Sequence, residues 1–279
     1  MESASGIDRE WVEANVVDDS EHREKRTLIP ILCEDDQFVA VAKPAGMFVH
    51  RSDADRSATE FVLQNVRDQL GHFVYPVHRL DRPTSGVLLL AKSPEAAALF
   101  GNMFADRTIR KTYVALVRGH TEDSGVIDCP LVSSKVHGKT AERFLTPPQE
   151  AQTAYRTLER FEVPFKSGPH PTTRCSLVEA QPQTGRFHQI RRHMVRIAHP
   201  IIGDVEHGDT KLNRRYQDHA GVTHLMLAAV RVEFVHPVTG ISTVIDCAPA
   251  KSFAVVIERL RLLSMNHVGE HGDVAAGEE

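Results

Sequence analysis

The sequence predicts an α+β fold: a single domain in which helices and loops flank a mixed, largely antiparallel sheet. Three observations carry that expectation. Runs of strand length and strand character, QFVAVAKP (37–44), GVLLLA (86–91) and KTYVALVRG (111–119), recur along the chain. Stretches with helical spacing and helix-boundary residues lie among them. No internal repeat, low-complexity tract or Gly/Ser-rich linker divides the body of the chain.

Taken in order, QFVAVAKP alternates like a half-buried strand and ends at Pro44 and Gly46. A helix follows: Ser57 and Glu60 have capping-box spacing, Phe61, Val62, Val66 and Leu70 recur near the helical period, and Gly71 stops it. GVLLLA is an apolar strand leaving the loop HRLDRPTSG (78–86), and Ser93-Pro94-Glu95 opens a second helix reaching about Asp106. After the strand KTYVALVRG comes a long middle section interrupted by Pro147, Pro148, Pro164, Pro169 and Pro171. Strand-like runs return at Thr173–Ala180, Val230–Val235 and Ile241–Cys247. Phe187, Ile190, Met194 and Ile197 mark one face of a helix, with Arg191, Arg192 and Arg196 mainly away from it, and a last helix covers about Lys251 to Leu263.

With 279 residues, 41% hydrophobic and 25% charged, the chain has an ordinary globular composition and the length to bury a sizeable core. There is no apolar run of roughly 18 residues, and MESASGIDREW lacks the basic start and apolar stretch of a signal peptide, so a cytoplasmic protein with no membrane partner is expected. Cys33, Cys129, Cys175 and Cys247 lie far apart without a C-x-x-C pair, which points to reduced, mostly buried thiols. The net charge of −4 is unevenly spread: residues 1–26 hold eight acids and four bases, and residues 264–279 four acids and no Lys or Arg. Each end is therefore −4 and the segment 27–263 is +4. Both ends are poor in apolar residues and are expected to be acidic, mobile tails around a mildly basic working body.

Three clusters in that body carry chemistry. In HRLDRPTSG a turn accounts for Pro83, the hydroxyls and Gly86, but not for Asp81 set between Arg79 and Arg82. The plain explanation is a surface ion pair worth under about 1 kcal/mol. A carboxylate between two cations also stays ionised, which suits a nucleophile and not a general acid. In TGRFHQIRRHMVRIAHP (184–200), Arg186, His188, Arg191, Arg192, His193, Arg196 and His199 occur with no acid among them. That is either an ordinary exposed basic helix or a positive face suited to phosphates. In RKTYVALVRG (110–119), Tyr113 reads first as a sheet-face residue; after Arg110 and Lys111 it is also placed to offer a ring to a single base. Asp204, His207 and Asp209 in GDVEHGD raise a metal site, but His188 and His193 are five apart and neither H-E-x-x-H nor a Cys-rich cage occurs, so no metal is expected.

HRLDRPTSG is similar to the catalytic loop of the RluA-type pseudouridine synthases. VAKPAGMFVH (41–50), RKTY (110–113), TGRFHQIRRH (184–193) and HPIIGD (199–204) match further motifs of that family in the same order, over roughly residues 30–250. His50-Arg51-Ser52, VRDQLG (66–71), PTTR (171–174), HPIIGDVEHGD and LNR (212–214) resemble the branch of the family that acts on uridine 65 of tRNA. One departure is HLMLAA (224–229), where His224 and Ala228 stand in place of the family's usual Arg and His.

The resemblance implies the pseudouridine synthase catalytic fold for residues 27–263 and a cofactor-free isomerase whose partner is RNA, tRNA first and rRNA as the alternative, with no protein partner. It implies Asp81 as the catalytic aspartate, Tyr113 as the ring against the flipped uracil and the actor at its C5 proton, and Arg191 as the salt-bridge partner of Asp81. Arg79 would fill the gap left by the extruded base, and Arg82, Lys111, Arg186, His188, Arg192 and Arg196 would contact RNA. Three routes stay open to the aspartate: attack at C1′, attack at C6, or deprotonation at C2′. Two rivals from other classes are an RNA-binding protein without activity and a metal-dependent phosphoesterase built on His188, His193, Asp204, His207 and Asp209.

Overall fold

A computed structural model describes residues 27–51, 59–132, 147–166 and 168–272. In chain order its elements are β1 (Ile31–Glu34), β2 (Phe38–Lys43), α1 (Val62–Leu70), β3 (Tyr75–Pro76), β4 (Ser85–Ala91), α2 (Pro94–Ala105), β5 (Arg110–Arg118), β6 (Ser124–Asp128), β7 (Gln152–Val163), β8 (Thr173–Pro182), α3 (Gln189–Arg196), α4 (Thr210–Ala220), β9 (Leu227–Val235), β10 (Ser242–Asp246) and α5 (Lys251–Gly272). The chain divides into two compact units, one from the residues up to Ile109 with Arg231–Cys247, the other from Arg110–Val230 with the residues from Ala248 on. The lack of a Gly/Ser-rich linker has a structural reason: the chain passes between units at the start of β5, inside β9 and just after β10.

In the first unit β2 pairs antiparallel with β1 and β4, β3 adds to the end of β4, and β10 pairs with the Arg231–Val235 half of β9. Every residue of β4 is buried, which is why its GVLLLA stretch is an unbroken apolar run instead of alternating. The alternate residues Phe38 and Ala40 of β2, and Val87, Leu89 and Ala91 of β4, share a core with Ala96, Ala97 and Phe100 of α2 and Val232, Phe234 and Ile245. The rings of Phe38, Phe100 and Phe234 meet edge to face at centroid distances of 5.5–5.7 Å. α2 runs as expected, with the Ser93 hydroxyl accepting the Ala96 N–H. α1 starts later than its spacing suggests, with Phe61 at the N-cap and no side-chain cap; Ser57 lies outside the described residues, and Glu60 instead accepts from the N–H and hydroxyl of Thr27.

The second unit is a four-stranded antiparallel ladder in the order β5-β8-β7-β6. Its longest strand, β7, lies in the stretch that the prolines seemed to break. β7 has exposed charged residues along its length and a bulge between Thr157 and Glu159, so the two-residue period is diluted and then interrupted. α4 was also missed, although its signals were present: Asp209 caps it through the N–H groups of Lys211 and Leu212, Leu212, Tyr216 and Ala220 bury at helical spacing, and Gly221 ends it. α5 continues past Leu263 to Gly272, and Arg261 ties it to β7 by donating from Nε and Nη2 to the Glu159 carboxylate at 2.7–3.1 Å.

Three details correct the sequence. Ile190 and Met194 bury as the face of α3, but Phe187 precedes the helix and is 47% exposed. Arg191, expected to point away from that face, is 1% exposed, because a carboxylate awaits it inside. Of the four thiols only Cys175 is buried; Cys33, Cys129 and Cys247 are partly exposed.

Candidate active site

In the first unit, HRLDRPTSG is held from behind by Lys43 at the end of β2. Lys43 is 1% exposed and donates from Nζ to the carbonyls of Pro44 (2.9 Å), Arg82 (3.0 Å) and Thr84 (2.8 Å). Two of those carbonyls lie one and three residues after Asp81 in the loop, so one buried ammonium sets its path. The Thr84 N–H closes the turn on the Asp81 carbonyl, and Gly86, at φ +112, lets the chain leave the loop into β4 where a side chain would be strained. Arg82 is a brace: it accepts the Gly46 N–H on its carbonyl, donates Nε to the Gly46 carbonyl at 3.0 Å, and lays its guanidinium 4.8 Å from the Phe48 ring centre. His78 accepts the Leu89 N–H on Nε2, which fastens the start of the loop to β4. Arg79 is exposed, and burial, then the Arg79 charge, push the His50 imidazole below its usual range.

Burial draws the Lys43 ammonium down to about 7, and the Asp81 carboxylate opposes that shift. Because the folded value lies below that of an unfolded lysine, the unfolded chain holds the proton more tightly, and stability should rise with pH from about 7 toward ~10.4. Urea unfolding at about pH 7 and about pH 9 should show a gain that shrinks in Lys43→Met. An equal gain in both proteins would remove Lys43 as its source.

In the second unit Tyr113 sits near the start of β5, opposite Ala180 of β8, and is 9% exposed. Lys111, two residues earlier and so on the same strand face, donates to the Thr184 carbonyl at 3.3 Å, and burial brings it down to about 8. The TGRFHQ segment is fixed by Gln189. Its Oε1 accepts from the Thr184 hydroxyl and the Arg186 N–H, and its Nε2 donates to the Gln152 carbonyl and the Thr153 hydroxyl.

Arg191 forms a bidentate pair with buried Asp204, Nε to Oδ2 at 2.7 Å and Nη2 to Oδ1 at 2.8 Å, and Nη2 also lies 3.2 Å from Glu206. Burial alone would raise the Asp204 carboxyl, but Arg191 and the N–H groups of His207 and Glu206 outweigh it and hold the carboxyl below its usual range. Asn213 of α4 locks this loop, accepting the Gly203 N–H and donating to the Asp204 carbonyl. Gly203, at φ +81, would place a Cβ 2.1 Å from the His224 carbonyl oxygen, so no other residue fits there.

The positive face is smaller than the sequence suggests. His188, Arg191 and His193 are buried, while Arg186 and Arg192 are partly exposed and Arg196 is exposed. The five residues of a phosphoesterase centre do not converge: His193 bonds to the Thr153 hydroxyl and the Cys129 carbonyl, Asp204 to Arg191, and Asp209 caps α4. Within that set the imidazoles of His188 and His207 meet, Nδ1 to Nε2 at 2.9 Å, while Asp204 takes the backbone N–H of His207 and not its ring.

Comparison with known proteins decides the family. A family model described as RNA pseudouridylate synthase matches residues 37–195. The chain is also 49% identical over 215 residues to tRNA pseudouridine synthase C of Vibrio parahaemolyticus, covering 76% of this chain and 86% of that one. The chain belongs to the RNA pseudouridylate synthase family. It is 45% identical over 248 residues to the protein of the same name from Vibrio vulnificus, covering 86% of this chain and all of that one. Among solved structures, human RNA Pseudouridylate Synthase Domain Containing 4 aligns with a TM-score of 0.64 at 25% identity, covering 83% of this chain and 93% of that one. Human RNA Pseudouridylate Synthase Domain Containing 1 aligns at 0.61 and 22% identity, covering 85% and 97%, which bears on the fold alone. As a pseudouridine synthase the protein is an isomerase, and the span matched by the family contains Lys43, Asp81, Tyr113 and Arg191. Lys43, Gln189 and Asn213 escaped the sequence as positioning residues. All three lay inside quoted motifs, yet only their hydrogen-bond partners give them a role.

Proposed function

We propose that this pseudouridine synthase modifies tRNA at uridine 65, in the cytoplasm, with Asp81 as the required carboxylate. The observation that carries the substrate is the identity of 45–50% to proteins named tRNA pseudouridine synthase C, one of them aligned over its whole length. The reaction breaks the N1–C1′ bond, turns the uracil while it is held, joins C5 to C1′, and releases the C5 hydrogen as a proton while N1 takes one up. Asp81 supplies the charge that drives the first step, on a loop whose backbone is clamped by Lys43 and Arg82 and so stays in place as charge shifts. Tyr113 packs against the extruded uracil and acts at C5, with Arg191 as ionic partner of the aspartate. Arg79, exposed within the loop, takes the space of the base, which offsets part of the few kcal/mol of lost stacking. Arg186, Arg192 and Arg196 are the accessible cations for phosphates, with Lys111 nearer the base.

Pseudouridine mapping of total RNA from cells with and without the protein tests this. The expected result is loss of pseudouridine at tRNA position 65 with rRNA unchanged. Loss confined to rRNA, or no loss, would contradict it.

A further inference from the structure

His188, Glu206 and His207 form a cluster that the isomerisation does not use. His188 is buried and held at φ +52, in the left-handed region that a non-glycine residue adopts only under local constraint. Its Nδ1 lies 2.9 Å from Nε2 of His207 and 3.6 Å from Oε2 of Glu206, and donor atoms of all three fall within 4.8 Å of one another. A tetrahedral zinc with ligand bonds of about 2.0–2.1 Å separates its donors by roughly 3.3–3.4 Å. The two observed separations, 2.9 and 3.6 Å, straddle that value, and the three donors already lie within 4.8 Å of one another.

Both arms of the cluster are fixed in advance. Glu206 and His207 are consecutive, and both their N–H groups donate to Asp204 Oδ1 at 3.0 Å. Asp204 is itself clamped by Arg191, and Gly208 bonds back to its carbonyl with no room for a side chain, its Cβ position lying 2.3 Å from that oxygen. On the other arm, the Phe187 ring stacks on the His188 imidazole at 3.6 Å between centroids.

We propose that His188, Glu206 and His207 bind a first-row transition ion of the zinc type, the two imidazoles and one carboxylate leaving a fourth position open. Imidazole donors select zinc, cobalt or nickel over magnesium and calcium. Without an ion, one of the two imidazole nitrogens at 2.9 Å donates a hydrogen bond to the other; an ion takes the place of that hydrogen between them. The charge of Arg191, 3.2 Å from the other oxygen of Glu206, opposes the ion and keeps this site weaker than a closed structural zinc centre. The site is independent of the catalytic assignment, because it is defined by binding alone.

The metal-free full chain should be titrated with zinc sulfate by calorimetry and with cobalt(II) by visible absorption. One ion per chain is expected, with a cobalt spectrum of nitrogen and oxygen ligation, which requires no variant. Glu206→Gln, at an exposed position, and His207→Gln, at a partly exposed one, should each weaken binding by about tenfold or more, while His170→Ala, an exposed histidine elsewhere in the same unit, should bind as the parent does. The proposal is overturned by absence of saturable binding, by unchanged affinity in both glutamine variants, or by a sulfur-to-cobalt charge-transfer band, which would place the ion on cysteines.

Discussion

Asp81→Asn should reduce pseudouridine formation on the order of 10⁴-fold or more, to below detection, while tRNA binding changes little. The substitution keeps size and hydrogen bonding and removes only the charge and the nucleophile. The loop should survive, because its fixing bonds use backbone: Thr84 donates to the Asp81 carbonyl, and Lys43 to the carbonyls of Arg82 and Thr84. Binding should survive because it rests on several cations and not on one carboxylate. Loss of the carboxylate also removes the charge that supports the Lys43 ammonium, so its value should fall below about 7, visible in a carbon-13 titration of the lysine side chain. Turnover measured by chemical derivatisation of pseudouridine at anything near the parental rate would overturn the assignment of Asp81.

The largest effect on stability is expected from Asp204→Ala. It removes the bidentate carboxylate from a guanidinium that is 1% exposed and leaves the more exposed Glu206, 3.2 Å away, as a weaker counter-charge, so the broken buried pair should cost about 3 kcal/mol. In a chain of this size that is a fall of roughly 10 °C in Tm. The same change deprives the Glu206 and His207 N–H groups of their acceptor. Asp204→Asn should cost less, since an amide oxygen still accepts from both. A fall below about 1 kcal/mol for Asp204→Ala would mean that Arg191 is held by other groups.

The elements legible in the sequence were those with a clean period or a marked boundary. β4 shows an unbroken apolar run because both of its faces are buried, and α2 is announced by Ser93 and Pro94, which cap it as written. β7 was hidden because its bulge shifts the period and its exposed positions mix Arg156 and Arg160 with an apolar Leu158, while prolines on both sides suggested a loop. The loop around Asp81 was legible as chemistry because its charged half had no use in a turn. Its support was not, since Lys43 acts through backbone carbonyls that carry no sequence signature. Arg191 shows the same limit from the other side. Period alone assigned it to solvent, and its burial rests on carboxylates that a period cannot show, among them Asp204 thirteen residues on and Glu206.

The most direct measurement is tritium release from a C5-labelled tRNA transcript incubated with the protein and no added metal, nucleotide or redox cofactor. Replacing the hydrogen on C5 by a bond to ribose is the event that defines isomerisation, so label should pass into water from a transcript with uridine at position 65 and stay in the RNA when that uridine is replaced by cytidine. No release from the uridine 65 transcript, equal release from both transcripts, or cleavage of the strand in place of release would contradict the assignment.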